Sequence, residues 1–201
     1  MEKPALNDHP IAELLARRWS PRAFSERPVG ADVVRSLLEA ARWAPSCFNE
    51  QPWSFIVATC EHPEAHERLA GCLRDSNRVW AGKAPVLMIA VSKAAFDRNG
   101  KPNRHAGHDV GLAVENLLLQ AVSMGLFAHP MAGFDAAKVR EMYGVPEGHD
   151  PLVAIAAGYP GDPESLPDDL KEREMEPRER KPLGQFVFGS SWGAPWGGLE
   201  S

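Results

Sequence analysis

Pro45 and Pro52 bracket the stretch Ala44-Pro45-Ser46-Cys47-Phe48-Asn49-Glu50-Gln51-Pro52-Trp53, and the chain cannot pass through it in one element. Pro45 removes the amide that a helix arriving over residues 31–44 would need, and Pro52 biases Gln51 towards an extended backbone. The residues between them are small or carry amides, so hydrogen-bonding groups are dense in a short span. A helix must halt and a strand open around a polar loop with no simple turn. On turn chemistry alone, that loop reads as an ordinary connection.

The flanking segments have clear periods. Asp8 as N-cap, Pro10 in a first turn, and Ile11, Leu14 and Leu15 on one face predict a short opening helix, which Pro21 keeps from running past Trp19. Val33, Leu37, Ala40, Ala41 and Ala44 recur at helical spacing. Residues 54–59, 86–91 and 152–157 are short apolar runs that read as buried strands, and residues 126–131 as another extended piece. Between the first two runs a polar helix is expected over 63–73, followed by 75–80 with no element assigned. Residues 93–104 are polar and read as an exposed excursion. Residues 108–124 form the longest apolar-periodic segment, a helix that must be buried, with Gly125 placed to end it in a left-handed conformation. Asp135 and Gly144 bound one further helix.

Residues 161–181 are charged and proline-bearing, and are expected to be an exposed connection. The last part, with Phe186, Phe188, Trp192 and Trp196, has no helical period, so its rings need a partner surface. Alternating helices and strands predict an α/β or α+β sheet flanked by helices, in a single domain over 1–201 without internal repeats.

Composition removes several function classes. A formal net charge of -5 gives no support to a general nucleic-acid or membrane-surface binder. Cys47, Cys60 and Cys72 are odd in number and form no CxxC pair, so neither a disulfide framework nor a zinc site is written in the chain. No apolar run approaches the length of a membrane span, and the expected location is cytoplasmic. A Gly-rich dinucleotide turn, a P-loop, a GxSxG elbow and an HExxH helix are all missing. His62 with His66, and His105 with His108, lack a matched acidic or thiol set for a metal.

What remains is a scatter of cations and amides: Arg18, Ser20 and Arg22 early, Asn49 and Asn77 in the middle, Arg178 and Arg180 late. Each alone has an ordinary explanation, such as an arginine complementing a helix dipole. Together they carry a resemblance. Arg-Arg-x-Ser-x-Arg-x-Phe at 17–24, Ala-Pro-Ser-x-x-Asn-x-Gln-Pro-Trp at 44–53, Gly133-Phe134 after His129-Pro130, Gly158-Tyr159-Pro160 and Arg180-Lys181-Pro182-Leu183 resemble the nitroreductase family, in the same order along nearly the whole chain.

The resemblance implies an α+β fold with a central, mostly antiparallel sheet flanked by helices, in a homodimer with an extended C-terminal arm over about 186–201. It implies FMN bound at the subunit interface, NADH or NADPH as electron donor and a small-molecule acceptor, with hydride passing through flavin N5 in ping-pong order. Nitroaromatics or quinones are the usual test acceptors, and relatives also carry out dehalogenation, flavin breakdown and dehydrogenation. No side chain is implied as catalytic. Arg18, Ser20 and Arg180, with Arg178 nearby, would meet the FMN phosphate, while Arg22 and Asn77 would face the pyrimidine end of the ring. Ala132 and Gly133 would bring backbone close to N5, and Pro45, Ser46, Cys47 and Asn49 would come from the other subunit. The chain departs from the pattern at Cys47 and Phe48, which are bulkier than usual, and at Trp80, where some relatives place a lysine beside the flavin. The alternative to an enzyme is a non-enzymatic flavin-binding or partner-binding protein whose groove, narrowed by Phe48 and Trp80, admits no nicotinamide.

Overall fold

In the computed structural model, residues 3–199 are described. Met1 and Glu2 of the N-terminus, and the last two residues of the expected arm, lie outside them.

Four strands make one wholly antiparallel sheet: β1 (Trp53–Thr59), β2 (Val86–Lys93), β3 (Phe127–Met131) and β4 (His149–Gly158), in the order β1-β2-β4-β3. The fold is α+β, as the resemblance implied. β2 sits inside the sheet, and alternation along it feeds two layers. Leu87, Ile89 and Val91 pack on one side with Leu69, Trp80 and Val139. Val86, Met88 and Ala90 pack on the other with Leu37 and Ala41 of α2 (Ala31–Arg42) and Val110, Ala113 and Leu117 of α5 (Ala106–Ser123). Burial on both faces is why this strand reads as a continuous apolar run rather than an alternating one. No helix among the described residues is long and apolar enough to cross a membrane.

Several local expectations hold for identifiable reasons. Gly125 ends α5 at φ +75°, and Gly144 ends α6 (Ala136–Tyr143) at φ +62°, a conformation that costs glycine little. Asp135 caps α6 by accepting from the Lys138 amide at 3.0 Å.

Others need correction. The opening helix, α1 (Glu13–Arg17), starts later than Asp8 and Pro10 suggested. The segment before it turns back instead, with the Ala5 amide donating to the Ala16 carbonyl at 2.8 Å. The polar helix is shorter than expected, α3 (Pro63–Ala70), and a separate α4 (Asp75–Ala81) follows it. The charged stretch after Gly161 is no mere connection. It contains α7 (Asp168–Met175), whose Leu170 and Glu174, one turn apart, are both buried, as is Leu166 just before it.

Candidate functional site

Arg18, Ser20 and Arg22 lie on the irregular segment that leaves α1, and this segment is pinned from three directions. At its far end Gly161 donates to Ala23 and Ser25 donates to Tyr159, both at 2.9 Å, fastening residues 23–25 to the end of β4. In the middle the Pro21 carbonyl lies 2.9 Å from Nδ1 of His129 on β3. A carbonyl only accepts, so this bond places the His129 proton on Nδ1. Below, the carboxylate of Glu174 on α7 accepts from the Arg22 amide at 2.9 and 3.0 Å and from the Ala23 amide at 3.1 Å.

Above this floor opens a cleft of about 210 Å³. It is lined by Arg18, Trp19, Ser20 and Arg22 of this segment, by Arg173, Glu176, Pro177, Arg178 and Arg180 on and after α7, and by Lys3. The cations outnumber the carboxylates heavily. Arg18 leans on the Ser20 hydroxyl at 3.4 Å and on Glu115 of α5 at 3.9 Å. Arg178 Nη1 is anchored on the carbonyls of Lys3 and Ala16, both at 2.7 Å. Burial, and then the charges of Arg18 and Arg180, hold the Arg178 guanidinium below its ordinary pKa. Burial does the same to Lys3, opposed by Glu174 and reinforced by Arg178. His129 is pushed down to about 4, first by desolvation and then by the charges of Arg22 and Arg18, against the hydrogen bond to Pro21. Each shift on these basic groups reports either lost water or surplus positive charge.

Asn77, Ala132 and Gly133 come together beyond the end of β3. Asn77 Nδ2 donates to the Gly133 carbonyl at 3.1 Å, and the Arg74 amide donates to the same oxygen at 3.0 Å. A Cβ on Gly133 would stand 2.3 Å from Asn77 Nδ2, so any larger residue here would push the Asn77 side chain off the Gly133 carbonyl. Asn77 therefore spends its amide nitrogen on the backbone and keeps Oδ1 for other partners.

Pro45, Ser46, Cys47 and Asn49 form a third group. The Cys47 amide donates to Oδ2 of the buried Asp109 at 2.9 Å, and the Ser46 hydroxyl accepts from Gln51 at 2.9 Å. That closure overrides the extended backbone that Pro52 suggested for Gln51, which has φ +52° beside Phe48 at +54° and Asn49 at +57°. Among the described residues, no hydrogen bond joins this loop to the cationic cleft.

Phe48 is 71% exposed, with the Arg98 guanidinium 4.0 Å above its ring and Phe96 edge-on at 5.9 Å. Trp80 corrects its expected role as a wall. It is buried, stacked at 6.4 Å with Phe24 and 4.6 Å from the His129 ring, and so packs the core behind the cleft.

Lys3, Arg173 and Glu174 belong to none of the motifs above, yet Lys3 and Arg173 line the cleft and Glu174 holds its floor. Only the placing of Glu174 one helical turn after Leu170 signalled that it points inward.

A model of the nitroreductase family matches residues 15–159. The chain belongs to the nitroreductase family. Family membership covers the segment carrying Arg18 to Arg22, the loop at 44–53 and the turn at Gly133. An uncharacterized 15.4 kDa protein of Mycolicibacterium smegmatis is 36% identical over 132 residues, 66% of this chain and 87% of its own length. A Stenotrophomonas maltophilia protein named NADH dehydrogenase/NAD(P)H nitroreductase is 30% identical, with 81% of this chain and 90% of its own covered. Among solved structures, one described as an oxidoreductase containing FMN superposes with a TM-score of 0.89 at 34% identity, covering 94% of this chain and 96% of its own.

Proposed function

We propose that this nitroreductase-family chain is a homodimeric FMN-dependent oxidoreductase that carries hydride from NADH or NADPH to a small-molecule acceptor in ping-pong order, with nitroaromatics or quinones as test acceptors. The observation that carries the cofactor assignment is the surplus of cations around the 210 Å³ cleft, beside the Ser20 hydroxyl. The donor set fits a phosphate monoester dianion. Arginine offers forked, permanent charges, and each charge-assisted bond is worth about 1.5 to 3 kcal/mol. Trp19, which lines the same cleft, is nearly fully buried, and its indole Nε1, itself buried, has no partner among the described residues.

FMN, when bound, supplies the two-electron chemistry, accepting from the nicotinamide and giving to the acceptor. The chain's part is to bind and orient. Arg18, Ser20, Arg178 and Arg180 hold the phosphate, and Arg22 places a cation towards the ring. Asn77 Oδ1 is a remaining acceptor near Ala132 and Gly133, whose backbone stays approachable because no side chain stands on Gly133. Pro45, Ser46, Cys47 and Asn49 act from the partner subunit. Exposed apolar side chains support the dimer: Ile11, Leu14 and Leu15 on and before α1, and Phe186, Trp192 and Trp196 in the arm, are 38–93% exposed. Three free cysteines suit a reducing cytoplasm.

The test is Arg18→Ala. Losing up to about 3 kcal/mol of phosphate contact lowers FMN affinity by up to about a hundredfold. An unchanged dissociation constant would return Arg18 to a structural role. The visible spectrum of the purified protein, and its bleaching on anaerobic mixing with NADH or NADPH, test the rest. A protein that takes up no FMN refutes the assignment.

A further inference from the structure

The carboxylate of Glu174 is the most completely buried charge among the described residues, at 1% exposure, and it lies against a site whose ligand we take to be an anion. A negative charge there opposes that ligand unless it does something else. Its contacts say what. Oε1 accepts from the amides of both Arg22 and Ala23, Oε2 accepts from Arg22 again, and the Arg22 guanidinium lies 3.8 Å from Oε2. The backbone carbonyl of Glu174 accepts from Lys3 Nζ at 2.6 Å. One residue of α7 thus holds the backbone of the arginine-bearing segment, one of its side chains, and the N-terminal lysine of the cleft.

We infer that Glu174 is the positioning residue of the anion cleft, fixing the segment from Arg18 to Ala23 so that its cations converge. This rests on the phosphate reading above and goes beyond it, because it gives the C-terminal helix a part in cofactor retention. Two adjacent amides facing one carboxylate leave the segment little freedom to rotate. In Glu174→Gln a single carbonyl oxygen must serve both amides, and the amide nitrogen that replaces Oε2 turns a donor towards the Arg22 amide and guanidinium, so the turn must move to relieve the clash. The surrounding cations also repel one another, and Glu174 is the buried charge that offsets this at Arg22 and Lys3.

The two possible roles of the charge predict opposite signs. If Glu174 were only background charge, Glu174→Gln would make the cleft more positive and tighten FMN. If it positions the segment, Glu174→Gln weakens FMN by about ten- to hundredfold, although the field improves. The experiment titrates wild type, Glu174→Gln and Glu174→Asp with FMN and with riboflavin, which lacks the phosphate, and records the unfolding midpoint of each apoprotein. The expected result is weaker FMN binding in both variants with riboflavin binding unchanged. Asp keeps the charge but is one methylene too short to hold both amides. FMN binding in Glu174→Gln equal to or tighter than wild type overturns the inference. So does an equal loss for FMN and riboflavin, or failure of both variants to fold, since either makes Glu174 a general determinant of the fold. If only the Gln variant fails to fold, the Asp variant decides by the same comparison. Wild type that binds no FMN refutes the cofactor reading itself.

Discussion

Replacing His129 by glutamine isolates what a buried imidazole beside the cleft costs the fold as pH falls. In the native chain the imidazole titrates at about 4 against an ordinary value of 6.5, chiefly because it is desolvated and secondarily because Arg22 and Arg18 are near. The sign follows from linkage. Above pH 6.5 the ring is neutral whether folded or not, so no stability is lost. As pH falls from 6.5 towards 4 the unfolded chain takes up a proton that the folded chain refuses, and stability drains away. Those two values give a loss of about 2 kcal/mol at pH 5, rising to about 3 kcal/mol below pH 4. Glutamine can still donate to the Pro21 carbonyl but does not titrate. Urea unfolding of wild type and His129→Gln at pH 7.5 and pH 5 therefore gives a wild type that loses about 2 kcal/mol more than the variant. The other six histidines cancel in the difference. Parallel pH dependence in the two proteins would refute the reasoning, since it would mean that the native ring accepts a proton freely. Inorganic phosphate in the cleft is expected to reduce the gap by offsetting Arg18 and Arg22.

Two further perturbations probe the supports of the site. Gly161→Ala puts a Cβ 2.5 Å from the Phe24 carbonyl carbon and 2.8 Å from the Ser25 nitrogen, both backbone atoms. The expected loss is about 2 to 3 kcal/mol in denaturant unfolding, together with weaker FMN binding because the segment from Arg18 to Ala23 loses its anchor. Asp109→Ala leaves the Cys47 amide without its acceptor at a loss of about 1 to 3 kcal/mol. Faster hydrogen exchange at Cys47 with unchanged exchange at the end of α5 checks it.

The arginines and Ser20 were legible because their residue types and intervals survive in a linear reading. Arg18, Ser20, Arg22, Arg178 and Arg180 do line one cleft. The strands were legible because β2 and β4 lie inside the sheet and their apolar runs needed no partner to be recognised. Glu174 was hidden because a carboxylate counts as surface in any composition argument, and only the two amides it meets, some 150 positions earlier in the chain, explain its burial. α4 was missed because Asp75, Ser76 and Asn77 resemble a loop, while Trp80 and Ala81 turn its far end inward. Trp80 was assigned to the groove on its position alone, and its stacking on Phe24 across the core could not be read locally. The left-handed backbone at Phe48, Asn49 and Gln51 had no glycine to announce it.

These three positive φ angles, interrupted at Glu50 by an ordinary φ of -69°, bear on any edit of the loop. A side chain with positive φ carries roughly 1 kcal/mol or more of strain, so glycine at 48, 49 or 51 would relieve the backbone while taking away whatever the side chain meets. Improved thermal tolerance and impaired turnover in the same variant would then have a single origin. If the loop serves the partner's flavin as proposed, selection for robustness alone would push this corner of the molecule away from that service.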